Sequence, residues 1–137
     1  MMLATTFAPV ASPAQKLKPV PEGIHSSGDG RPDVCGLQAS SVTELENQIK
    51  SRSDVEALDQ TAEYSAYAIG KMRQITFTRK SNRAHPAVAC RQVVATQSGG
   101  STIQTSIACF NSRANCDWLY REFEALTKRM INAMNGI

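Results

Sequence analysis

The chain has 137 residues, enough for one domain and not for two. Its 42% hydrophobic and 20% charged residues are ordinary for a globular protein, and no apolar run approaches the roughly 20 residues of a membrane-spanning helix. A net charge of +3 selects no class of partner by itself, and four cysteines with two histidines and no Cys-x-x-Cys pair argue against a zinc site.

Residues 1–14 are apolar, rich in small side chains and uncharged, and they end near residues suited to cleavage. They read as the remnant of a secretory signal peptide without its basic start, or else as a flexible tail. Residues 15–40 carry Pro19, Pro21, Gly23, Gly28, Gly30, Pro32 and Gly36 with almost no apolar periodicity. Such a stretch buries too little surface to offset its backbone entropy, so it reads as a linker with Cys35 as its one fixed point. Residues 41–137 then make a single disulfide-stapled domain.

Ser41-Val42-Thr43-Glu44 has capping-box spacing, with Val42, Leu45 and Ile49 at helical intervals. Ser53-Asp54-Val55-Glu56 repeats the signal, with Val55, Leu58 and Ala62 behind it. Two short helices are predicted, or one broken near residues 51–53. From Tyr64 the period becomes two: strands are predicted over residues 64–69, 74–79, 87–96 and 102–110, with Ile75 and Phe77 inward and His85-Pro86 as a break.

Cys90 and Cys109 are each nine residues from the nearer glycine of Gly99-Gly100. A hairpin centred on those glycines sets the two thiols opposite each other. Opposed residues have Cα atoms about 4.5–5.5 Å apart, within the roughly 4.4–6.8 Å of a disulfide. That register puts Val88, Cys90, Val94, Ile103, Ile107 and Cys109 on the core face and turns Arg91, Thr102, Gln104 and Ser106 to solvent. Cys35–Cys116 is then the preferred second bridge. Cys109–Cys116 with Cys35–Cys90 is the other pairing that the spacing favours.

The last element is a helix over residues 116–135, capped by Asn115 and ended by Asn135-Gly136. Leu119, Phe123, Leu126, Met130, Ala133 and Met134 form one apolar stripe, suited to covering a sheet face. The fold predicted is α+β: one or two N-terminal helices, an antiparallel sheet of three or four strands, and the C-terminal amphipathic helix on one face.

Function shows most in the charge distribution. Between Glu63 and Asp117 there is no acidic residue, while Lys71, Arg73, Arg79, Lys80, Arg83, Arg91 and Arg113 fall there. The preceding stretch holds Glu44, Glu46, Asp54, Glu56, Asp59 and Glu63. The first six of those cations form a candidate binding face for a protein or other anionic partner. Nucleic acid is disfavoured, because only Phe77 interrupts the basic run with an aromatic ring. No nucleophile elbow, phosphate-cradling loop or metal-binding helix motif is present. No cofactor or metal is expected, and the motifs assign the chain to no family.

These readings predict an exported, non-enzymatic small binding protein of bacterial type, periplasmic or secreted, such as an inhibitor, an immunity-type protein or an envelope-associated factor. The alternatives are a small enzyme using a free cysteine, with His85 as base, and a cytosolic nucleic-acid-binding protein.

Overall fold

The structure, a computed structural model, describes residues 24–25 and 30–134. The leader or tail read over residues 1–14 and the helix end at Asn135-Gly136 lie outside the described residues. The elements run β1 (Ile24–His25), β2 (Asp33–Val34), β3 (Leu37–Gln38), α1 (Val42–Lys50), β4 (Val55–Gln60), β5 (Tyr64–Ile69), β6 (Arg73–Thr78), β7 (Ala87–Ala95), β8 (Ser101–Cys109) and α2 (Arg113–Met134). The fold mixes helix and sheet. Strands β4 to β8 form a five-stranded antiparallel meander, larger than the three or four strands expected, and β1 lies parallel to β8 at its edge. Among the described residues, one helix, α1, precedes the meander.

Both faces of the sheet are covered. On one, Tyr67, Ile69, Ile75, Phe77, Val88, Cys90 and Ala108 meet Val42, Leu45 and Ile49 of α1 and Val34 of β2. On the other, Ala87, Ala89, Ile107 and Cys109 meet Cys116, Leu119 and Phe123 of α2. Each large side chain so enclosed contributes about 1.5–3 kcal/mol. Ser41 caps α1 as its spacing predicts, its Oγ accepting from Glu44 N at 3.0 Å.

Two-sided burial explains where the sequence pattern misled. Residues 53–62 do not form a second helix: β4 stands there, with Val55 paired to Ile69. Val55 packs against the α1-side core, while Leu58 lines a groove beside Met130 of α2. Their three-residue spacing serves two faces of a strand, helped by a register irregularity between Ala57 and Gln60.

The β7–β8 register also differs from the glycine-centred one. Ala95 and Ser101 are the last pair, leaving a five-residue loop over residues 96–100. Thr96 organises it: its N–H donates to Gly100 O, its Oγ1 accepts from Gly100 N, and Gly99 takes the left-handed conformation at φ 91°. Cys90 therefore pairs with Ser106 and Cys109 with Ala87. An odd shift exchanges the faces of one strand relative to the other. Cys90 and Cys109 lie in different cores, and the bridges are Cys35–Cys90 and Cys109–Cys116, with Cα atoms 6.1 and 5.8 Å apart. The Cys90–Cys109 and Cys35–Cys116 bridges do not form.

The segment before residue 41 contributes more than a tether. In the hairpin of β2 and β3, the two turn residues Cys35 and Gly36 have φ of 52° and 75°. That is the double left-handed turn a two-residue hairpin needs. Val34 is 0% exposed within the α1-side core, and Cys35 anchors the turn to β7. Helix α2 begins at Arg113, ahead of the expected residue 116. Ser112 caps it, accepting from Asn115 N at 3.2 Å, so Asn115 lies within the helix instead of capping it.

Candidate functional site

The six predicted basic residues do not share one face. Lys71 and Arg73 lie at the β5–β6 turn; Arg79, Lys80 and Arg83 lie in the loop after β6. The length of β6 separates the groups by about 20 Å. Arg91, expected to face solvent, is only 6% exposed. The register that buries Ile103 and Ile107 beneath α2 takes Arg91 with them, since Arg91 pairs with Thr105 on the same face.

The β6–β7 loop is held at many points. Asn82 Nδ2 donates to Glu63 Oε1 at 3.2 Å, and Asn82 Oδ1 accepts from Ala84 N at 2.8 Å. Ser81 Oγ donates to Ala62 O, Arg79 N to Glu63 O at 2.8 Å, and Arg79 Nη1 to Thr61 O at 3.2 Å. From the other side, Asn111 Nδ2 donates to His85 O at 2.6 Å, just before the cis His85–Pro86 bond. Arg83 bridges to α2: its Nε donates to Asn115 Oδ1 at 3.1 Å, and its guanidinium sits 4.8 Å from the Trp118 ring centre. Such stacking fixes a cation while leaving part of its donor fork free. Arg113 adds an exposed cation nearby, paired with the buried Asp117 at 3.4 Å. Arg79, Lys80 and Arg83 are all exposed.

At the opposite end, Lys71, Arg73 and Arg91 line a groove of about 190 Å³ between the sheet and the C-terminal half of α2. Arg91 Nε donates to Thr127 Oγ1 at 3.2 Å, and its guanidinium lies 4.6 Å from the Phe123 ring centre. One terminal nitrogen, Nη2, has no acceptor among the described residues, and neither ion pair there involves Arg91. Burial pushes its pKa down to about 10, against a smaller upward pull from Tyr64, so the group is a cation at neutral pH.

The sequence reading missed Asn82, Asn115 and Trp118 as supports of the basic loop. Their signal was weak, because the partners lie 19 to 35 residues away in sequence. No free cysteine occurs among the described residues, so the thiol-enzyme alternative has no sulfur nucleophile there. His85 Nδ1 lies 3.0 Å from both Thr78 O and Thr78 Oγ1, a backbone-anchoring role. No helix among the described residues is long and apolar enough to cross a membrane, and no group of three or more His, Cys, Asp or Glu residues there is placed to hold a metal ion.

Comparison with protein-family models, curated proteins and solved structures found no match to the chain.

Proposed function

We propose that this is an exported, non-enzymatic binding protein of bacterial type, periplasmic or secreted, which engages an acidic protein or other anionic partner through the loop between β6 and β7. The observation that carries this reading is the support beneath Arg79, Lys80 and Arg83. Three exposed cations stand on a loop tied to the β4–β5 turn and to α2, so little ordering entropy remains to be lost on binding. The two disulfides fit an oxidising compartment, where such bonds persist. Lys71 and Arg73 belong to the other end of the sheet and take no part in this contact.

Charge reversal tests it. The triple variant Arg79→Glu, Lys80→Glu, Arg83→Glu is expected to bind a partner isolated from envelope extract at least tenfold more weakly than the native chain. Its circular dichroism and thermal midpoint should stay close to native. Undiminished affinity removes the loop from the interface. A partner that proves to be nucleic acid, with affinity falling steeply with salt, selects the alternative reading.

A further inference from the structure

We propose that the groove between the sheet and the C-terminal half of α2 binds a small amphiphilic carboxylate, an anionic head on a short alkyl chain. This site is separate from the β6–β7 loop and does not depend on its function.

The composition of the groove carries the inference. Leu58, Ala68, Val93, Ile103 and Met130 supply apolar walls, with Met72, 54% exposed, at the rim. The charged side chains lining it are Lys71, Arg73 and Arg91, all cations, and none of the described lining residues is acidic. Asp54, close by through the bond from Gly70 N to its carbonyl, is engaged first by Arg52 in a two-point ion pair at 2.8 Å; it attracts Arg73 more weakly and leaves Arg91 without a counter-charge. Arg91 is the decisive group. A guanidinium this enclosed is normally matched by a carboxylate or by a full set of acceptors, because an unmatched charge is costly to bury. Here it has one threonine, one aromatic ring and an unsatisfied nitrogen. Packing alone is better served by an apolar residue of the same length. A cleft with apolar walls, whose charged lining is all cationic and includes an arginine without a counter-charge, is an arrangement that orients an amphiphilic anion.

Size narrows the ligand. At about 190 Å³ the groove is smaller than the roughly 300 Å³ at which drug-sized pockets begin, so it suits a compact head with a few methylenes. The unbranched Met72 and Met130 adapt to such chains. A bilayer surface would meet the exposed rim and leave Arg91, 6% exposed, unmatched.

Titration of the full disulfide-bonded chain with hexanoate, followed by calorimetry and by NMR of the arginine Nε–H and methionine methyl signals, tests the site. Saturable one-to-one binding is expected, at least tenfold tighter than hexanol and absent for hexyltrimethylammonium. Shifts should centre on Arg91, Met72 and Met130. Arg91→Met should weaken hexanoate at least tenfold. Lys71→Glu with Arg73→Glu, which leaves the buried layer intact, should weaken it at least threefold should Arg91→Met fail to fold. The triple loop variant Arg79→Glu, Lys80→Glu, Arg83→Glu should bind hexanoate as the native chain does. Equal affinity for hexanoate and hexanol, shifts confined to other surfaces, or binding to anionic vesicles without binding to hexanoate would each overturn the proposal.

Discussion

Tyr67 ties β5 to α1 through one polar atom. Its ring lies edge-on to Phe77 with centroids 6.0 Å apart, and its hydroxyl donates to Glu46 Oε2 at 2.9 Å. Burial, then the bond to Glu46, pushes the phenol up to about 12 from its ordinary 10. Folding thus favours the protonated phenol. The stabilisation is full below pH 10 and is lost as pH rises from 10 towards 12. Tyr67→Phe should cost about 1.5 kcal/mol at pH 7, and its deficit against the native chain should shrink at alkaline pH. Urea midpoints for both chains at pH 7 and pH 11 check this; a constant gap would show that the phenol does not titrate differently on folding. Tyr67 was legible as part of an alternating strand. Its link to Glu46, 21 residues upstream, was not, because strand periodicity says nothing about which helix crosses the face.

Among the elements, the β7–β8 hairpin decides the bridge pattern. Gly99 and Gly100 lie in the turn, as the sequence predicts, yet loop length sets the register. Here Thr96 closes five residues instead of two. The Cys35–Cys90 bridge spans 55 residues of sequence and Cys109–Cys116 spans 7. In the chain-entropy description these correspond to about 4 and about 2.4 kcal/mol. Replacing Cys35 and Cys90 together by Ala should therefore lower the unfolding free energy more than replacing Cys109 and Cys116 together. The reverse order in denaturant titrations would mean that native packing around the α2 cap outweighs loop closure. Peptide mapping without reductant should recover the same two pairs.

Across the whole molecule, the sheet is buried on both faces, and this governs what sequence patterning could reveal. A one-sided sheet alternates cleanly, and that alternation predicts Arg91 at solvent. A two-sided sheet fills both parities, and residues 87 to 91 are all buried. The second cover consists of α1 and the hairpin around Cys35, so the folded unit extends back at least to Asp33. A chain starting at residue 41 should lose Val34 from the core and leave Cys90 unpaired. A cost of several kcal/mol is expected, since truncating one buried aliphatic side chain alone costs about 2–5 kcal/mol. A thermal midpoint equal to that of the full chain would restore the reading of residues 15–40 as linker throughout. The same architecture parts the basic residues, placing Arg79, Lys80 and Arg83 at one end of β6 and Lys71, Arg73 and Arg91 at the other.

Local signals in the sequence determined α1 with its serine cap, the strand positions from Tyr64 to Cys109, the amphipathic α2 and the absence of acidic residues between Glu63 and Asp117. These depend on neighbours within a few residues, where capping, alternation and helical periodicity act. The partners of the cysteines, the strand identity of residues 55–60, the burial of Arg91 and the division of the cations between two ends were settled only by tertiary structure. Each depends on which face of a strand meets which distant element, and one odd step of register reverses that choice without altering local periodicity.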